Sequence, residues 1–147
     1  MKRQQKYPDT NTFHFYNANP KGRITTDCVI RAIATATDLP YNQIVMELAE
    51  LQCKTGYDDG DDKLYDKYLI SKGFIKRKQP RRLDGTKFTG KDFCEALQDN
   101  YEYTIGRTPR IVAHIGGHHI VAIVDAKVWD IWNSTHKCIG NYWIKEV

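Results

Sequence analysis

Apolar residues change their period part-way along the chain. Between residues 25 and 100 they recur at helical spacing, and from residue 110 onward they form short blocks bounded by Gly, Asp and Asn, the pattern of strands. The first helix is predicted to open at Cys28 or one residue earlier, with Thr26 or Asp27 as N-cap, and to stop before Asp38-Leu39-Pro40. A second helix fits 41–51, where Ile44, Val45, Leu48 and Leu51 share a face, and a third fits 62–71 with Gly73 ending it. A short fourth starts at Thr89-Gly90-Lys91-Asp92 and carries Phe93, Cys94, Ala96 and Leu97. Strands are predicted at 110–115, 120–124, 128–132 and 142–145. Residues 1–24 interleave Pro8, Asn11, Asn17, Asn19, Pro20 and Gly22 with Phe13, Phe15 and Tyr16, and read as an extended arm held to the domain by its aromatics. A mainly helical part (25–100) thus precedes an antiparallel sheet (108–147) in a single domain, 1–147, of class α+β.

With 147 residues, 41% of them hydrophobic, such a domain buries one core without help from disulfides. Cys28, Cys53, Cys94 and Cys138 lack the close pairing of a zinc site or the density of a secreted scaffold, so reduced thiols and no metal are expected. The acidic loop Asp58-Asp59-Gly60-Asp61-Asp62 lacks alternating calcium ligands, and Leu69 stands where a closing Glu is needed. No apolar segment follows the basic start, and no uncharged run approaches the roughly 20 residues of a membrane span. A cytoplasmic protein without a membrane partner is expected. The net charge of +4 attracts acidic partners weakly. The basic run 76–82 contains Pro80 and no interleaved aromatics, so it reads as a solvated connection, and nucleic acid is not an expected partner.

Candidate chemistry lies in two distant segments. In Thr25-Thr26-Asp27-Cys28 the thiol falls at a helix N-terminus, where unpaired N–H groups and the helix dipole favour the thiolate. In Gly116-Gly117-His118-His119-Ile120-Val121 a histidine starts a strand, from which it can act as base and then acid if folding sets it beside the sulfur. Taken singly, each has a plainer reading: a buried cysteine is usually a small core residue, and Cys53 and Cys94 are assigned that role. Strand alternation alone does not choose between His118 and His119. A two-residue turn at Asp125-Ala126 places Val124 opposite Lys127, His119 opposite Trp132, and Asp130 one diagonal step from His119 on the same face. A three-residue loop would instead place Asn133 opposite His119. Trp132 then either belongs to the sheet core or shields the pair from water.

These segments, Asp27-Cys28-Val29-Ile30-Arg31-Ala32 and the run from His119 through Asp130 and Trp132 to Ser134, resemble papain-like cysteine peptidases in order and architecture over most of residues 25–135. The resemblance is to the superfamily, and to its small viral and bacterial members. It implies a nucleophile on a central helix packed on the following antiparallel sheet, with Cys28 as nucleophile, His119 as its base and Asp130 orienting the histidine. One departure concerns the oxyanion-binding side chain, often Gln, that the superfamily places shortly before the cysteine, where this chain has Gly22. The Cys28 N–H is the first candidate donor, and Asn17 and Asn19 are the nearest carboxamides. Asp27 beside the cysteine is also similar to a habit of ovarian-tumour-type deubiquitinases, although N-capping explains it as well.

The expected activity is hydrolysis of a peptide, isopeptide or related amide bond through a Cys-His-Asp triad and a thioester, without a cofactor, on a protein or peptide substrate. Two alternatives stay open: an acyltransferase or deamidase using the same dyad, and a catalytically inactive papain-like module that binds a protein through residues 7–24.

Overall fold

The computed structural model describes residues 1–101 and 108–146. A single helical turn, α1 (Arg3–Lys6), and a short strand, β1 (Phe13–Phe15), precede α2 (Cys28–Thr37), which lies against the middle of a sheet. Ala32 and Ala36 give α2 a flat surface for that contact, and Ile33, fully buried, contributes about 1.5–3 kcal/mol of burial. The far end of α2 is closed by Asp38 in the left-handed conformation (φ 57°) before Leu39-Pro40. Arg110 reaches this end and donates to the Thr35 and Ala36 carbonyls at 3.2 and 3.4 Å, a cation on the negative pole of the helix.

Helix α3 (Tyr41–Thr55) runs past the predicted end, and its buried face is narrower than the spacing implies: Ile44 and Leu48 are buried, whereas Val45 is exposed. Helix α4 (Asp62–Ser71) is capped by Asp61, whose carboxylate accepts from the Lys63 N–H at 2.9 Å. Strand β2 (Ile75–Arg77) and helix α5 (Gly90–Tyr101) lead to β3 (Arg110–Ile115), β4 (His119–Val124), β5 (Lys127–Asp130) and β6 (Ile139–Lys145). The mixture of helices with one six-stranded sheet is α+β.

The strand order, β1-β5-β4-β3-β6-β2, corrects the expected sheet in two places. The arm is not only pinned by aromatics: β1 joins the sheet parallel to β5, with Phe13 opposite Val128 and Phe15 opposite Asp130. The basic run is not only a solvated connection either, because β2 pairs antiparallel with β6 and forms the opposite edge. Its Lys76 and Arg77 are charges of the kind that discourage further strand pairing.

Helices α2, α3 and α4 share one core with Val112, Ile120, Ala122 and Trp143. Phe93, Cys94 and Leu97 of α5 form the other with Ile111, Ile115, Val121, Ile123 and Val128. The β4–β5 turn fixes the register on which the site depends. Val124 pairs with Lys127 across Asp125 and Ala126, both at positive φ (53° and 55°), the shape that matches strand twist. Before β4, Gly116 and Gly117 (φ 64° and 91°) supply the left-handed turn that delivers His119 to the strand start. Among the described residues no helix is long and apolar enough to cross a membrane.

Candidate active site

Cys28 is the first residue of α2 and half-buried. Its sulfur hydrogen-bonds with the His119 side chain and accepts from the Ile120 N–H, both at the start of β4. Burial pushes the thiol pKa up, but these two hydrogen bonds and the positive charges of His119 and Arg31 outweigh it, leaving the thiol below its ordinary range.

The His119 Nε2 donates to Asp130 Oδ2 at 2.5 Å, which leaves Nδ1 as the ring nitrogen available to the sulfur. Burial disfavours the imidazolium, yet the hydrogen bonds to Asp130 and Cys28 and their negative charges raise its pKa to about 9. The two shifts have opposite signs and one consequence. Both favour the charged pair, a thiolate beside an imidazolium.

Asp130 closes β5 and is almost wholly buried (1% exposed). Its backbone carbonyl accepts from the Tyr16 N–H at 2.9 Å, so the arm fixes the residue that orients His119. Its Oδ1 accepts from the Ile131 N–H at 2.7 Å and from Arg31 Nη1 at 2.5 Å. Arg31, one turn into α2, also donates from Nε to Asp27 Oδ1 at 2.8 Å. The Asp27 carboxylate accepts further bonds from the Tyr41 hydroxyl (2.6 Å) and from Asn19 Nδ2 (3.1 Å). Burial raises the Asp27 pKa, and the bonds from Tyr41, Arg31 and Asn19 lower it by more.

Several residues named from the sequence have other work. Asp27 stands at the N-cap position of α2, but its side chain makes no capping bond and turns to Arg31, Tyr41 and Asn19. Asn19 is therefore committed to Asp27, and Asn17 donates to the Arg23 carbonyl at 3.0 Å, so neither carboxamide is aimed at the sulfur. Asn133 accepts from the Thr135 N–H and hydroxyl in a local turn, and Asp130 holds the place beside His119. His118 is exposed in the turn before β4. The Trp132 ring lies 4.9 Å from that of His119 and covers it on one side. Cys53 is exposed and no core residue, whereas Cys94 is fully buried.

Arg31 and Tyr41 were not foreseen. The four-residue step from Asp27 to Arg31 is a helical ion-pair spacing and was visible in the sequence. The bond from Arg31 to Asp130 spans 99 residues and leaves no local trace.

Two cavities flank this network. One of about 330 Å³ is lined by Thr26, Asp27, Val29, Val45, Leu48 and Tyr65 among others, and one of about 450 Å³ by Ala18, Pro20, Tyr41, Arg110 and Trp129 among others. Neither is lined by Cys28 or His119. Among the described residues no group of His, Cys, Asp and Glu is arranged to hold a metal ion. No protein-family model matches the chain, and no significant match to it is found among curated proteins or solved structures.

Proposed function

We propose that the chain is a papain-like cysteine hydrolase acting on a peptide, isopeptide or related amide bond of a protein or peptide. The observation that carries this reading is the series Cys28–His119–Asp130, hydrogen-bonded in that order with the sulfur at the N-terminus of α2. The bonding favours opposite charges on sulfur and imidazole, which is what a thiol nucleophile and its acid require.

In the reaction the Cys28 thiolate attacks the carbonyl carbon and the carbonyl oxygen becomes an oxyanion. The Cys28 N–H belongs to the first turn of α2, has no partner within the helix, and serves as an oxyanion donor. As the C–N bond breaks, His119 gives its proton to the leaving amine and a thioester remains. Neutral His119 then takes a proton from water, the hydroxide oxygen attacks the thioester, and the acid leaves as Cys28 is expelled as thiolate. Asp130 keeps the imidazole in the tautomer and orientation that both steps need.

Alkylation by iodoacetamide at pH 6, read by mass spectrometry on intact folded protein, tests the reading without a known substrate. Cys28 is expected to react at least about tenfold faster than exposed Cys53. Equal rates would falsify the activated pair.

A further inference from the structure

We infer that Arg31 is a positioning residue of the proposed site: anchored on Asp27, its guanidinium holds the Asp130 carboxylate so that Oδ2 faces His119. The inference rests on reading Cys28 and His119 as a reacting pair, and it adds a residue that the triad by itself does not call for.

The geometry leaves Asp130 one orientation. Oδ1 is occupied by Arg31 Nη1 and the Ile131 N–H, so turning the carboxylate away from His119 breaks two hydrogen bonds, one of them charge-assisted. The backbone of Asp130 is held by pairing with β1 and by the Tyr16 N–H, but backbone pairing does not set the rotation of the carboxylate. Arg31 supplies that constraint. Its fork spans two carboxylates at once, Nε on Asp27 and Nη1 on Asp130, which a lysine ammonium on a flexible stem does not reproduce.

The burial of Arg31 calls for a reason beyond stability. Its side chain is 7% exposed and that of Asp27 8%, in a helix otherwise packed with Ala and Ile. Buried ion pairs are often matched or bettered when all their members are replaced together by apolar residues of similar size, so stability alone is a weak reason for the set Asp27, Arg31 and Asp130. Arranged as they are, the charges alternate in sign from Asp27 through Arg31, Asp130 and His119 to Cys28. Each group neutralises its neighbour. Asp27 is itself immobilised by Tyr41 of α3 and Asn19 of the arm, so the anchor draws on two further parts of the molecule. The positive charge of Arg31 also favours the Cys28 thiolate directly.

The test measures alkylation of Cys28 by iodoacetamide from pH 5 to 9 on the full chain, with mass spectrometry as readout. The charged and titratable groups around the reacting pair and Arg31 are Asp27 on α2, Tyr41 on α3, Tyr65 on α4, His119 on β4 and Asp130 on β5, with Arg110 of β3 at the other end of α2. In Arg31→Gln the rate at pH 6 is expected to fall about tenfold and the acid limb to move up toward that of an ordinary thiol. In an Asp130→Asn background the same substitution is expected to change the rate by only about threefold, because the part that acts through Asp130 is gone and only the direct charge of Arg31 on the sulfur remains. Arg31→Lys, which keeps the charge, guards against a variant that does not fold and is expected to lose about threefold. An unmoved acid limb in folded Arg31→Gln, equal losses in both backgrounds, or wild-type behaviour of Arg31→Lys overturns the inference alone. A wild-type Cys28 no faster than Cys53 overturns the reacting pair and this inference with it.

Discussion

Two cysteines on helices at opposite faces of one sheet show how far environment decides the chemistry of a thiol. Cys28 begins α2, and its sulfur meets an imidazole, a backbone N–H and, further off, a guanidinium, so its pKa falls despite burial. Cys94 lies inside α5 among Phe93, Leu97 and the strand residues of the second core, and burial pushes its pKa up to about 12, with the Val128 N–H a small opposing influence. Both are reduced cysteines on amphipathic helices. What separates them is a first-turn position and a set of charges that arrive from β4 and β5. The face covered by α2 bears a buried chain of alternating charge, and the α5 face is built of apolar contacts.

The largest effect expected from breaking this contrast is loss of the proposed nucleophile or its partner. Cys28→Ala or His119→Ala should cut turnover by on the order of 10³-fold or more, measured on a peptide or isopeptide library, whereas Cys94→Ala should leave turnover per folded molecule near the wild-type value. The pH profile sharpens it next. Turnover should rise as Cys28 ionises, below the ordinary thiol range, and fall again as His119 loses its proton near about 9, since the leaving amine then lacks a donor. Alkylation of Cys28 needs no such donor, so its rate should not show the upper fall.

Smaller changes follow from the supporting groups. Asp130→Asn should lower turnover by about 10–100-fold, less than removing His119, because in the proposed reaction the carboxylate orients the imidazole and takes no part in bond making. Smallest at the site itself, and on the other side of the comparison, is Cys94→Ser. It places a hydroxyl in an apolar core and should cost about 1–3 kcal/mol in denaturant unfolding, with Cys28 alkylation unchanged. A Cys94→Ser protein of full stability but slowed alkylation would mean that the two faces of the sheet are coupled.

The helices around the site were legible because each announces itself locally. Asp38-Leu39-Pro40 stops α2, Asp61 caps α4, and periodic apolar residues mark the buried faces. The closeness of His119 to Asp130 was also within reach, since a two-residue turn and strict alternation of side chains fix the register between β4 and β5. Strands β1 and β2 were not legible. Each holds three residues, Phe13-His14-Phe15 and Ile75-Lys76-Arg77, too few for a period, and each exists only because an edge of the sheet is there to pair with. Asp27 misled for a related reason: its place before the helix suits an N-cap, and its carboxylate was drawn away by Arg31, Tyr41 and Asn19.

Short stretches of chain suffice to specify a thiol at the head of a helix, a histidine at the head of a strand, and a turn that aligns a carboxylate with that histidine. These depend on residues a few places apart, whose spacing sets backbone shape. Long-range packing is what brings the sulfur to the imidazole and lets Arg31 bridge Asp27 to Asp130 through the core. The same packing turns the N-terminal arm into the strand beside Asp130. Contacts across some hundred residues of chain are chosen by the packing of whole elements, and the pKa values follow from that packing, since a charge is stabilised by its neighbours in space.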